Sequence, residues 1–150
     1  PIFEVMGRRV THVGPVGSGQ TVKACNQTLC AVHMVAACEA LTLAAAAGLD
    51  LETVLEVVTG GAANSWALEH LGPKIVKGDL RPGFMVKLIQ KDLDIVTRAA
   101  AEANLPMPGA ALAVQNFRVF LAGGGGELGT QAMITVYEKL AGRRVRQAGE

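Results

Sequence analysis

At 150 residues, half of them apolar, the chain has the length of one domain with a real hydrophobic core. Its 14 Lys and Arg against 13 Asp and Glu leave a net charge of +1, which argues against a broad nucleic-acid-binding face. Alanine and leucine dominate while aromatic residues make up only 4%, a balance that favours helix over strand. Cys25, Cys30 and Cys38 fall in one helical stretch. An odd count at that spacing is no disulfide framework and fits a reducing, cytoplasmic setting. With no second ligand pair nearby, it does not predict a metal site.

Pro1 to Gly7 reads as the tail of a helix that stops at a glycine. Arg8 to Val13 reads as a short strand; a lone strand forms no sheet, so it is expected to have its partners elsewhere or to pack as an extended arm. A glycine-rich turn, Gly14-Pro-Val-Gly17-Ser-Gly19, follows and runs into a helix. Strand, glycine turn and helix in that order invite a dinucleotide-binding reading. The reading fails at the third glycine, where Val22 stands. It also fails about 20 residues on, where a second strand and an acidic residue are due but the chain is still helical around Cys38-Glu39-Ala40.

The long helix is expected from Ser18 or Gly19 to Ala47, with Ser18 as N-cap and Gly48 as its stop. Apolar on most sides, it is the natural central strut of an all-helical bundle. His33 and Glu39 interrupt the apolar run from Ala31 to Leu49, which argues against a membrane span. Asp50 caps a second helix, Leu51 to Thr59, ended by Gly60 and Gly61. Ser65 opens a third, through about Val76, which Pro73 is expected to bend or end. After a loop over 78–83, a fourth helix runs from Phe84 to Ala103 and stops at Asn104. Pro106 and Pro108 open a fifth, Gly109 to Ala122. Gly123 to Gly126 reads as a flexible connector, Thr130 to Ala141 as the last helix, and 143–150 as a basic, frayed tail.

Two constellations carry chemistry. Residues three and four apart are neighbours on a helix, so Lys23, Asn26, Gln27 and Cys30 form one polar stripe. A lysine in the first turns sits badly with the helix dipole unless an anionic ligand is near; the alternative is a plain exposed lysine. The second constellation is Phe84, Lys87 and Lys91, at i, i+3 and i+7, with Asp92 next in line. It is either a solvated charged stripe or one wall of a site. His12 and His33 read as structural, having no carboxylate partner close in sequence. Trp66 either lines a pocket or closes the core.

Three stretches together resemble the β-hydroxyacid dehydrogenase family, the group of 3-hydroxyisobutyrate dehydrogenase and tartronate semialdehyde reductase (2-hydroxy-3-oxopropionate reductase). They are Gly14-x-x-Gly17-x-Gly19-x-x-x-Lys23-x-x-Asn26, Glu39-Ala-Leu-x-Leu-Ala-x-x-x-Gly48-Leu-Asp50, and Pro82-Gly83-Phe84 with Lys91-Asp92-Leu93. The likeness is to the family's C-terminal all-helical domain, related to that of 6-phosphogluconate dehydrogenase, and covers roughly Val13 to Leu140. It implies an all-α bundle over 14–142, with residues 1–13 as the end of a nucleotide-binding domain whose last strand is Arg8 to Val13. It implies Lys23 as catalytic acid and base, and Gly17, Gly19, Asn26 and Gln27 at the substrate. The family often has a second asparagine where Gln27 stands, so either Asn26 or Gln27 makes the substrate contact. Phe84, Lys91 and Asp92 are implied at the cofactor, NAD or NADP, with no metal. The implied partners are a small hydroxy acid or semialdehyde and a second copy of the chain in a homodimer or higher oligomer, with neither nucleic acid nor membrane. A non-catalytic helical oligomerisation module of the same fold is the alternative.

Overall fold

The alanine- and leucine-rich stretch forms one helix of 29 residues, α2, Ser18–Ala46. At 1.5 Å per residue it is about 43 Å long. Its N-cap is Gly17, left-handed at φ 98°, and not Ser18, which is the first helical residue and makes no capping bond. The far end closes as expected. Gly48 takes φ 73°, its N–H donates to the Ala45 carbonyl at 3.2 Å, and the Leu49 N–H donates to the Ala44 carbonyl at 3.1 Å. Two orphaned carbonyls are satisfied in this way, and a side chain at Gly48 would be strained.

The computed structural model describes residues 2–146, apart from the side chain of Glu4. A short exposed helix, α1 (Ile2–Met6), precedes α2, and around α2 stand α3 (Leu51–Thr59), α4 (Trp66–Val76), α5 (Val86–Glu102), α6 (Pro108–Ala122) and α7 (Ile134–Ala141), with 3₁₀ turns at Gly125–Glu127 and Thr130–Met133. The strut packs on α3, α4, α5, α6 and α7. Ala31, Met34, Cys38 and Leu41 of α2 are at most 1% exposed and meet Ile75, Ile89, Leu93, Phe117 and Ile134 in one cluster. By length and composition α2 could cross a membrane; here those residues are the centre of the bundle. Asp50 and Ser65 cap α3 and α4 by accepting from the Thr53 and Leu68 N–H groups, each cap stabilising its helix by about 1 kcal/mol.

Several expectations are corrected. Arg8 to Val13 is not a strand: those residues are exposed and irregular, and no strand forms among the described residues. The extended pairing that does occur is one antiparallel bridge between Met85 and Gly129. That bridge also moves the start of α5 to Val86. The Val86 N–H donates to the Leu128 carbonyl at 2.9 Å and the Phe84 carbonyl accepts from the Thr130 N–H at 3.1 Å, so Phe84 cannot be helical.

Pro73, expected to bend or end α4, lies inside it, and the helix runs to Val76 as its sequence indicated, with Ile75 and Val76 anchored in the core. The second half of the glycine run is packed, while Gly123 and Gly124 are exposed. Gly124 is left-handed at φ 85°, and a Cβ on buried Gly125 would lie 2.5 Å from the Phe120 ring. The basic tail is docked as far as it is described. Val145 is buried and Arg146 grips Glu138 through both carboxylate oxygens. Residues 147–150 lie outside the described residues.

Candidate active site

A cleft of about 940 Å³ opens between α2, α4, the start of α5 and the second 3₁₀ turn. Helical spacing sets its long wall. Lys23, Asn26, Cys30 and His33 follow one another along α2, and all four line it. Trp66, Leu71 and Lys74 of α4 face it, and Gly83, Phe84 and Thr130 close it.

At one end three side chains meet on Asp92. Lys91 Nζ stands 3.0 Å from Asp92 Oδ1, Lys23 Nζ stands 3.8 Å from the same oxygen, and Gln27 Nε2 donates to Oδ2 at 2.7 Å. The carboxylate is buried, its side chain 7% exposed, while the lysines are 61% and 55% exposed. Burial pushes the Asp92 carboxyl up. The hydrogen bonds from Lys91 and Gln27, and the charges of both lysines, outweigh this and hold it below the usual carboxylate range. Asn26 Nδ2 donates to Gln27 Oε1 at 3.0 Å and approaches Cys30 Sγ at 3.5 Å. The two amides thus act in series: Gln27 is bound to Asp92, and Asn26 is exposed and faces the cleft.

Lys23, Asn26, Gln27, Phe84 and Asp92 are brought to one cleft. Lys91 does not line the cleft and joins them through Asp92, on the same oxygen that Lys23 approaches. Lys87 is turned away to pair with Glu127 at 2.7 Å. Gly17 and Gly19 do not line the cleft, and a Cβ on either would meet nothing within 4 Å. His33, read as structural, is an exposed cleft residue. Its place on the Lys23 stripe was the available signal. Trp66 resolves as a lining residue, 64% exposed and stacked on His70 at 4.6 Å between ring centres. Lys74 and Thr130 carried no sequence signal, because only the fold brings them to α2.

The residues fit one side of a nicotinamide dinucleotide. Phe84, 40% exposed, offers a ring for flat packing, and Lys91 offers an exposed cation for a phosphate. No glycine-rich strand-to-helix cradle for a pyrophosphate exists among the described residues.

Residues 17–137 match the family described as NAD-binding of NADP-dependent 3-hydroxyisobutyrate dehydrogenase. An uncharacterized oxidoreductase of Synechocystis is 46% identical over 93% of this chain and 47% of its own. The 2-hydroxy-3-oxopropionate reductase of Escherichia coli is 36% identical over 97% of this chain and 50% of its own. Among solved structures, Mycobacterium tuberculosis 3-hydroxyisobutyrate dehydrogenase with L-serine superposes with a TM-score of 0.85 at 30% identity, covering 91% of this chain and 49% of that one. The chain therefore spans about half the length of the curated relatives it matches. An all-helical bundle with a lysine–amide stripe on its longest helix, matched over most of its length, belongs to the 3-hydroxyisobutyrate dehydrogenase family.

Proposed function

We propose that residues 14–142 are the substrate-binding and dimerisation domain of an NAD(P)-dependent hydroxyacid dehydrogenase, which moves a hydride between nicotinamide and a small hydroxy acid or semialdehyde. The observation that carries this reading is the convergence of Lys23, Lys91 and Gln27 on Asp92 at one end of a large cleft. Two ammonium groups face one carboxylate, so this end keeps a surplus positive charge that draws an anionic acid. Asn26 gives its amide hydrogens to Gln27 and, more weakly, to Cys30 Sγ, and keeps its carbonyl oxygen for the ligand.

When bound, the nicotinamide supplies or takes the hydride at the carbon that bears the oxygen. Lys23 Nζ gives a proton to the carbonyl oxygen in reduction and takes it from the hydroxyl in oxidation. Asp92 suits that role because it steers Lys23 without locking it. The stronger bond goes to Lys91 at 3.0 Å, and Lys23 at 3.8 Å keeps its N–H groups for the substrate.

The test is steady-state kinetics of the full-length protein carrying Lys23→Met. The expected result is a fall in kcat of about 10²–10⁴, with cofactor affinity nearly unchanged. Undiminished turnover would remove Lys23 from proton transfer. A full-length protein with no dehydrogenase activity at all would favour the oligomerisation module. That second reading draws on the exposed apolar stripe Val22, Leu29, Ala36 and Leu43 along α2.

A further inference from the structure

The cleft has more room than a three-carbon acid fills, and a nicotinamide packed on the Phe84 ring takes a share of it. Its 940 Å³ lies near the top of the roughly 300–1,000 Å³ that accommodates drug-sized ligands. Lys23, Asn26, Gln27 and Asp92 occupy one end. The other end is marked by Lys74 in the last turn of α4 and by Gly83 and Phe84, to which the loop after α4 leads. Asp92 lies about 9 Å along α5 from its first residue, Val86, at 1.5 Å per residue. Gly83 and Phe84 precede Val86, so their backbone is set off from that of Asp92 by about that stretch of helix.

This far end is rich in donors and poor in acceptors. Lys74 is half-buried, lines the cleft and makes no ion pair among the described residues. Asp79, the carboxylate near enough to feel the charge of Lys74, is already taken by Arg81, which donates to both of its oxygens at 2.8 and 2.9 Å. Thr130 is buried and lines the cleft, and its hydroxyl enters none of the side-chain hydrogen bonds among the described residues. Its backbone N–H donates to the Phe84 carbonyl at 3.1 Å, which ties the two residues together. The N–H groups of Gly83 and Phe84 donate to no backbone carbonyl.

We infer that Lys74, Thr130 and the Gly83–Phe84 backbone form a second anion subsite, which takes the distal carboxylate of a dicarboxylic hydroxy acid. One ammonium and one hydroxyl match a single negative charge. A phosphate carries nearly twice the charge, and the one lining cation besides Lys23 is Lys74, which would leave it half-neutralised. The inference rests on the proposed reading of the Lys23 end as the seat of the reacting half of the substrate.

The test compares two acids of equal length, 2-hydroxyadipate and 2-hydroxyhexanoate, by NMR titration of this chain, whose amide dispersion also reports folding. The wild type is expected to bind the dicarboxylate about ten-fold more tightly, the scale of one charge-assisted contact. Lys74→Met should bring the ratio to about one, Lys74→Arg should keep most of it, and Thr130→Val should reduce it about three-fold. Lys23→Met should weaken both acids alike and leave the ratio standing. Equal affinities in the wild type, or a preference that survives Lys74→Met, would overturn the subsite while leaving the Lys23 end intact. Failure of both acids to bind would overturn the reading of the Lys23 end, and the subsite with it.

Discussion

Asp92 makes the site a property of two helices at once. It accepts from Gln27 of α2 and from its own neighbour Lys91, and it faces Lys23 across the gap. Its carboxyl is held below the ordinary range, so the stability it contributes is present above its unfolded value near 3.8 and is lost as pH falls through the lower folded value. Asp92→Asn should therefore lower Tm at pH 7 and at pH 5, with the gap to the wild type closing below about pH 4. A gap that stays constant down to pH 2.5 would mean that the carboxylate's charge does not hold α2 to α5. The lysine stripe and the Lys91-Asp92 pair were legible in sequence because helical spacing alone groups them. Their meeting on one carboxylate was not, since Gln27 and Asp92 lie 65 residues apart.

Among the elements, those set by local chemistry followed the sequence closely. Asp50 and Ser65 cap where their side chains allow it, and Gly48 and Asn104 stop helices in the left-handed region. The errors lie where distant residues decide. Phe84 was placed in a helix by its pattern, yet the pairing of Met85 with Gly129 takes its carbonyl. Pro73 was expected to bend or end its helix, which core contacts carry past it to Val76, the end that the sequence placed. The four glycines were read as a flexible connector, but Gly125 is there because Phe120 leaves no room for a side chain. Gly125→Ala places a methyl 2.5 Å from a packed ring and should cost about 1–3 kcal/mol, measurable as a lower denaturation midpoint. A neutral result would mean that the Phe120 ring moves aside freely.

For the whole molecule, the pattern of exposed apolar side chains sets the expectation. Val22, Leu29 and Leu43 are 51%, 56% and 72% exposed, and with Ala36 they recur every seventh residue along α2. Leu112 and Val119, also seven apart, stand out from α6 at 55% and 59%. A heptad stripe of this kind is the seam through which helices pack on one another, and apolar surface on this scale marks an interaction face. Sedimentation equilibrium at micromolar concentration is expected to give a mass of at least twice 15.6 kDa. A clean monomer would leave those stripes without a partner copy.

The division of labour along α2 has a consequence for how such a domain changes over generations. From Ser18 to Asn26 no residue of the helix is buried; the first is Gln27, and the closely packed positions begin at Ala31. Substitutions in the leading turns therefore disturb few packing contacts, and surface changes of that kind alter stability by only about 0.5 kcal/mol. Those same turns carry the proposed proton donor and amide. The reactive end of the rod is free to vary while its anchored end keeps the fold, so new specificities can be sampled without first acquiring compensating mutations in the core.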